Sequence, residues 1–129
     1  MRQTQITQGI EISIQPAYQE QYSNPTQEKY VYAYHVTIRN AGQATVQLLR
    51  RHWFIYDSGN QLREVEGEGV IGQTPVIRPG ESFEYNSWTE MQTTIGKMYG
   101  YYTMLRKADG AMIEVEIPEF HLVAPFIQN

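Results

Sequence analysis

The segment Lys29–Asn40, "KYVYAYHVTIRN", decides the fold, because its side chains alternate between two faces along its whole length. One face carries Tyr30, Tyr32, Tyr34, Val36 and Ile38, and the other carries Val31, Ala33, His35 and Thr37. Alternation of this kind is typical of a β-strand, in which successive side chains point to opposite sides of the sheet. The length of the pattern predicts a central strand.

The same periodicity recurs along the chain, and no window shows the apolar spacing of an amphipathic helix. Residues 96–122 predict a β-hairpin with its turn at "ADG", in which two apolar rows face each other: Met98, Tyr102 and Met104 against Ile113, Val115 and Ile117. About seven short strands separated by turn signals predict an all-β fold, a two-sheet β-sandwich of immunoglobulin or fibronectin type III style. The chain has no cysteine, so the Cys-Trp-Cys spacing of immunoglobulin domains is absent and the fibronectin type III-like form is favoured.

The connections between strands are predicted from turn residues. Residues 16–27, "PAYQEQYSNPTQ", are polar with two prolines and indicate a long loop. The triplet Asn40-Ala41-Gly42 indicates a short turn of hairpin type leading into the next apolar stretch, residues 44–57. Residues 79–88 predict a proline-glycine turn and a short strand with Phe83 and Tyr85 on one side.

Composition limits the domain count and the classes of partner. A chain of 129 residues is the size of one ordinary domain, so we expect a single domain over residues 1–129. The N-terminal stretch has no apolar signal region and no segment is long enough to span a membrane, which predicts a cytoplasmic protein without a membrane partner. The net charge is −4 and the cations are scattered apart from Arg50-Arg51, which argues against nucleic acid. Ten tyrosines favour a β protein with a contact surface.

The glycine motif "GEGVIG", formed by Gly67, Gly69 and Gly72, has the spacing of a dinucleotide-binding turn. A Rossmann turn must open a helix, and Pro75 and Pro79 leave no room for one. Two interpretations remain. The glycines can serve turn geometry in a connection between strands, or their backbone N–H groups can form a nest for phosphate with help from the cations Arg63 and Arg78.

Metal binding and catalysis have weaker signals. Carboxylates alternate along residues 64–68, and Glu114, Glu116, Glu119 and His121 cluster near the C-terminal strand. The candidate ligands are Glu68, Glu116 and His121, a set suited to a hard cation such as magnesium. The alternative is that these carboxylates only form solvated strand faces. The three histidines lack metal-ligand spacing, and neither a G-x-S-x-G elbow nor another catalytic signature is present, so an enzyme is not expected.

An interaction surface is the better supported expectation. Tyr99 and Tyr101 face away from Met98, Tyr102 and Met104 in the predicted strand, so one of the two sets looks outward unless both faces are buried. Trp88 lies in a predicted loop. Exposed aromatic side chains are typical anchors of binding patches, and Trp88, Tyr99 and Tyr101 are therefore the candidate contact residues.

The combination of residues 51–88, "GKMYGYYTM" at 96–104 and "VEIPEFHL" at 115–122 resembles the ApaG family, and the resemblance extends from about Ile10 to the C-terminus. It implies a fibronectin type III-like β-sandwich, a protein-interaction role, no established enzymatic activity, and an association of bacterial members with cobalt resistance and magnesium efflux. The chain departs from the family pattern at residues 85–88, "YNSW", and 93–95, "TTI". Both departures fall in one predicted loop, so the contacts that this loop makes in other members of the family are the least safely transferred to this chain.

The residues and the resemblance together predict a non-enzymatic binding or adaptor module without a cofactor, which recognises a protein partner. Edge strands of such a sandwich can pair between chains, which allows a homodimer. The alternative is a small-molecule sensor that binds pyrophosphate or a nucleotide at the loop from Gly67 to Gly72, with magnesium held by Glu68.

Overall fold

The computed structural model describes residues 2–59 and 61–127, so the ends of the predicted domain, residue 1 and residues 128–129, lie outside the described residues. Within these ranges the chain forms nine strands: β1 (Gln3–Thr7), β2 (Ile10–Tyr18), β3 (Tyr30–Asn40), β4 (Val46–Asp57), β5 (Gln61–Glu68), β6 (Val76–Ile77), β7 (Ser82–Met91), β8 (Ile95–Arg106) and β9 (Ala111–Val123). Short 3-10 turns occupy Glu20–Tyr22, Pro25–Gln27 and Pro125–Ile127.

The strands form two antiparallel sheets, and the predicted all-β two-sheet sandwich is confirmed. The first sheet has the order β1-β2-β3-β7, and the second has the order β5-β4-β8-β9. The two-residue strand β6 pairs with β4 at Val46 and Gln47, and therefore continues the edge that β5 forms along the same strand. The apolar faces of the two sheets meet in one core.

The alternation that predicted the central strand is present in β3. Its side chains Tyr30, Tyr32, Tyr34, Val36 and Ile38 are buried, and the strand lies between β2 and β7. The predicted hairpin is β8–β9, in which Met104 pairs with Ile113 and Tyr102 pairs with Val115. These strands contribute some of the most deeply buried side chains of the core. Packing between the sheets therefore follows the period-two pattern of the sequence.

The predicted loop at residues 16–27 is wrong at its start, because β2 continues through Pro16 to Tyr18. β1 pairs with β2 only as far as Ile14, so beyond that point β2 is an edge strand. An edge position tolerates a proline, which cannot donate to a neighbouring strand. The strand β7 is likewise longer than predicted, because it runs from Ser82 to Met91 and includes Trp88.

The turn after β3 is not the hairpin that its residues predict, because β3 and β4 belong to different sheets. The Asn40 side chain is fully buried at this crossing. Its Nδ2 donates to the carbonyls of Ala44 (2.8 Å) and Ile77 (2.9 Å), and its Oδ1 accepts from the Gly42 N–H (3.0 Å). One amide side chain therefore satisfies three backbone groups where the chain passes between the sheets.

None of the helical segments within residues 2–59 and 61–127 has the length and apolar character of a membrane span.

Replacement of Asn40 by alanine is expected to lower the free energy of unfolding by about 2 kcal/mol or more, because buried backbone groups lose their partners. Chemical denaturation measures the change. The matched control is Asn24→Ala in the exposed turn after β2, where we expect a change below about 0.5 kcal/mol. Equal effects of the two substitutions would contradict the bridging role of Asn40.

The core also contains a pair of tyrosine hydroxyls, since Tyr85 Oη and Tyr102 Oη are 2.5 Å apart. Burial raises the pKa of both phenols above the ordinary value of 10.0. The unfolded chain therefore releases these protons before the folded chain does, and stability falls as the pH rises above about 10. We expect the midpoint of chemical denaturation to drop as the pH rises through this range. The decrease of the midpoint with pH should be shallower in the Tyr85→Phe/Tyr102→Phe variant. An unchanged decrease would show that other groups control stability at alkaline pH.

Candidate functional site

Four aromatic rings form a stack on the outer face of the second sheet. His52 and Phe54 lie on β4, and Tyr99 and Tyr101 lie on the neighbouring strand β8. Ring centroids are 4.6 Å apart for His52–Phe54, 5.2 Å for Phe54–Tyr99 and 5.1 Å for His52–Tyr101, all in stacked orientation. We call these four residues the aromatic ladder. Each of them is half-buried, so the ladder offers ring surface to solvent.

The position of the ladder follows from strand packing. Met98, Tyr102 and Met104 of β8 are fully buried, so the intervening Tyr99 and Tyr101 point outward. Gly100 lies opposite Trp53 of β4. A Cβ at Gly100 would overlap the His52 carbonyl oxygen, and its φ is 157°. Glycine therefore lets β8 approach β4 closely at the point where the rings stack.

Carboxylates surround the ladder. The His52 ring is held between Glu64 and Glu66 of β5, with a distance of 3.2 Å to each from Nε2 and Nδ1. On the other side, a shallow depression of about 360 Å³ lies between the rings and β9, where it is bordered by Glu114, Glu116 and Glu119. The face around the ladder is therefore strongly acidic.

One cation already uses this face. Lys97 Nζ lies 5.7 Å from the ring centroid of Tyr99 and 5.8 Å from that of Tyr56, and it pairs with Glu119 Oε1 at 3.2 Å. A cation over an aromatic ring beside a carboxylate gains from both contacts. Lys97 therefore shows which chemical group the face accommodates.

Trp88 does not belong to the same surface. It points outward from β7 in the first sheet, on the opposite side of the sandwich from the aromatic ladder. Its ring packs edge-to-face on Tyr22 with a centroid distance of 5.3 Å, and the two residues are 53% and 55% exposed. The structure therefore divides the three predicted contact residues between two faces.

The glycine loop is a tight turn. Val70 and Gln73 exchange backbone hydrogen bonds of 2.9 Å, and the two residues between them, Ile71 and Gly72, have φ values of 44° and 76°. This is the pattern of a type I′ turn. Gly69 has a φ of 65°, and a Cβ there would overlap the Gln73 carbonyl oxygen. Turn geometry therefore accounts for Gly69 and Gly72.

The predicted phosphate nest has few groups left to offer. The N–H groups of Gly69, Val70 and Gln73 donate to the carbonyls of Leu49, Gln73 and Val70. Arg78 does not line the small depression at this loop, which is formed by residues 68, 69 and 72–74. Its backbone N–H instead donates to Glu81 Oε1 (2.9 Å), and its side chain is 74% exposed.

The predicted metal ligands are not brought together. Glu68 lies on β5, whereas Glu116 and His121 lie on β9, and β4 and β8 separate these two strands. Three strand spacings correspond to about 14 Å. Glu116 Oε2 accepts from Gln5 Nε2 (2.6 Å), and His121 Nε2 is 3.8 Å from Glu119. Over residues 2–59 and 61–127, no group of three or more histidine, aspartate and glutamate side chains could hold a metal ion.

Sequence reasoning missed His52 and Phe54 as partners of Tyr99 and Tyr101. The four residues alternate with buried ones on two strands, so the signal was present in the period-two pattern of residues 51–57. The four rings stack only because β4 pairs with β8 in a register that sets His52 opposite Tyr101 and Phe54 opposite Tyr99. Register between distant strands is not a local property of the sequence.

Comparison with known proteins identifies relatives over most of the chain. The family model of the ApaG domain matches residues 20–106. The chain is 45% identical to Protein ApaG of Rhodospirillum centenum over 95% of its own length and 93% of that protein, and 47% identical to Protein ApaG of Parvibaculum lavamentivorans over 93% and 92%. It is also similar to the crystal structure of a Bordetella pertussis protein called ApaA, with a TM-score of 0.86, 41% identity and 95% of each chain covered.

Gly69→Ala is expected to lower the free energy of unfolding by about 2 kcal/mol, because the added methyl group meets the Gln73 carbonyl at a positive φ. The matched control is Gly59→Ala, since nothing lies within 4 Å of a Cβ at Gly59. Thermal unfolding of both variants measures the difference. A Gly69→Ala variant as stable as the control would contradict the turn assignment.

Proposed function

Because the chain belongs to the ApaG family, we propose that it is a non-enzymatic binding module whose aromatic ladder docks a protein partner with basic side chains. The observation that carries the proposal is the stack of four half-buried rings bordered by carboxylates. Aromatic residues are enriched among the anchors of protein interfaces, where they contribute a large contact area at low cost in conformational entropy.

Charge complementarity selects the partner. Arginine and lysine side chains stack on aromatic rings and pair with carboxylates, and an acidic face attracts them over longer distances. Lys97 makes both contacts within the chain, over Tyr99 and beside Glu119. A basic partner segment can make the same pair of contacts with Tyr101 and Glu116, which are cross-strand neighbours of β8 and β9.

Further parts of the proposal rest on the resemblance to the family. The order of β2, β3 and β7 against β5, β4, β8 and β9 supports the fibronectin type III-like class of sandwich. In this proposal, the association of the family with cobalt resistance and magnesium efflux is explained by the activity of the docked partner. A cytoplasmic location belongs to the same proposal, and pairing of two copies is one outcome that the experiment below separates.

The test is an amide-resolved NMR titration with an arginine-rich peptide, with a glutamate-rich peptide of equal length as the comparison. We expect saturable shifts on the outward residues of β4, β8 and β9 that weaken as salt is added. The variant Tyr99→Ser/Tyr101→Ser should bind about tenfold more weakly or worse, since truncated interface anchors typically cost more than 1 kcal/mol. Its spectrum should keep the dispersion of the folded chain, because both rings lie outside the core.

The matched control is Trp88→Ser, which removes an exposed ring from the other face and should leave the affinity unchanged. Glu114→Gln should weaken binding by a smaller factor without touching the core. Shifts confined to the Trp88 face, or none with the arginine-rich peptide, would refute docking at the ladder. A rotational correlation time longer than that of a monomer of this size, measured without peptide, would instead indicate pairing of two copies.

A further inference from the structure

One open side of the sandwich holds a cleft between the edge strands β5 and β7. On the opposite side, β1 and β2 pack against β9 and close the core. Between β5 and β7 the closure is made by Arg63, whose Nη2 donates to Thr89 Oγ1 (3.1 Å) and to the Glu90 carbonyl (2.7 Å). The cleft beside it has a volume of about 310 Å³, and its walls include Tyr34, Arg51, Trp53, Arg63, Ser87 and Thr89. We call it the β5–β7 cleft.

Arg51 reaches this cleft from inside the sandwich. A bulge between Leu48 and Arg50 shifts the register of β4, so that Arg51 follows Leu48 on the inner face and shares that face with Trp53. Its Nη1 donates to the carbonyls of Glu68 (3.0 Å) and Gly69 (2.9 Å). The guanidinium group is thereby fixed at the end of β5.

Gly67 provides the space for this placement. A Cβ at Gly67 would lie 3.1–3.3 Å from the Nη1, Nη2 and Cζ atoms of Arg51, which is tighter than an ordinary contact. The first glycine of the motif therefore lets the guanidinium group lie flat against β5. Through this contact the glycine motif packs against a cation. That cation is Arg51, whereas the sequence predicted Arg78.

The charge of the cleft is unbalanced. Over the described residues, no carboxylate oxygen lies within 4.0 Å of a guanidinium nitrogen of Arg51 or Arg63. Glu90 borders the cleft, but its contact with Arg63 is made by its backbone carbonyl. In the described part of the chain both acceptors of Arg51 are bonded to Nη1, and neither Nη2 nor Nε makes a hydrogen bond to the protein. A half-buried cation without a counter-ion favours the binding of an anion.

We propose that the β5–β7 cleft binds a small oxyanion, a phosphate or a carboxylate, at the guanidinium groups of Arg51 and Arg63, which both line its walls. The planar guanidinium fork matches both classes of oxyanion, and the hydroxyls of Ser87 and Thr89 supply further polar groups on the opposite wall. The volume admits a ligand of a few non-hydrogen atoms. The site faces the inside of the sandwich, whereas the aromatic ladder lies on the outer face of β4, so the proposal does not rest on docking at the ladder.

Intrinsic fluorescence provides the measurement, because the two tryptophans of the chain, Trp53 and Trp88, both border the cleft. The full chain is titrated separately with pyrophosphate and with malonate at constant ionic strength, with chloride as the reference. We expect a saturable change with at least one of the two probes and a matching rise in the unfolding temperature, since a ligand that binds only the folded state stabilises it. The stronger probe tells whether phosphate or carboxylate chemistry is preferred.

Four variants locate the anion. Arg63→Gln and Arg51→Lys should each weaken binding about tenfold or more, because each removes charge-assisted hydrogen bonds. The matched controls are Arg50→Gln, which removes the same charge from the outer face of β4, and Arg78→Gln, and both should leave the affinity unchanged. If Arg51→Lys fails to fold, Arg63→Gln at the exposed strand carries the test, with circular dichroism as the check of its fold.

The results that would overturn the proposal are distinct. Absence of saturation at millimolar pyrophosphate and malonate would show that Arg51 and Arg63 have only a structural role at the open side of the sandwich. A loss of affinity in Arg50→Gln as large as that in Arg63→Gln would show non-specific attraction to positive charge. A loss in Arg78→Gln with none in Arg63→Gln would place the anion at the glycine loop instead.

Discussion

Burial of the inner faces of two sheets is the constraint on which the rest of the structure depends. Each strand of an antiparallel sandwich must direct every second side chain into the shared core, and a shift by one residue would expose the whole apolar row. In β8 this requirement puts Met98, Tyr102 and Met104 inside, and therefore puts Tyr99 and Tyr101 outside. The same rule on β4 sends Phe54 outward between Trp53 and Ile55. The aromatic ladder is thus a consequence of core packing on two paired strands.

The sequence pattern could predict the strands because alternation is local, but it could not predict which strands are neighbours. The β8–β9 hairpin and the buried row of β3 follow from residues close together in the chain. The turn at Asn40 has the residues of a hairpin, yet the chain crosses there to the other sheet. That choice depends on where the Asn40 amide finds its acceptors, and one of them, the Ile77 carbonyl, lies 37 residues further along the chain. β1 was not predicted, since its sequence "QTQIT" is mostly polar and it packs at an edge.

The same limit governs the candidate sites. Alternation alone left two possibilities for Tyr99 and Tyr101: an outward direction, or a strand that is buried on both faces. The structure shows that both rings point outward. The separation of Glu68 from Glu116 required the order of strands in the sheet, which puts β5 and β9 at opposite edges. The inward position of Arg51 was invisible in the sequence, because a bulge on β4 changes the face on which it lies.

The bulge on β4 also explains why a nucleotide-type glycine spacing occurs in a β-sandwich. The edge formed by β5 and β6 is interrupted beside the bulge, where the Gly69 N–H donates to the Leu49 carbonyl (2.7 Å) and the Leu48 N–H donates to the Pro75 carbonyl (3.0 Å). The chain between these two bonds must leave the edge and return, and a type I′ turn with a buried Val70 does so in few residues. The three glycines therefore answer three separate steric requirements: contact with Arg51, approach to the Gln73 carbonyl, and positive φ in the turn. Their spacing reflects the geometry of one interrupted strand edge, whereas a dinucleotide-binding turn requires a helix that this edge does not contain.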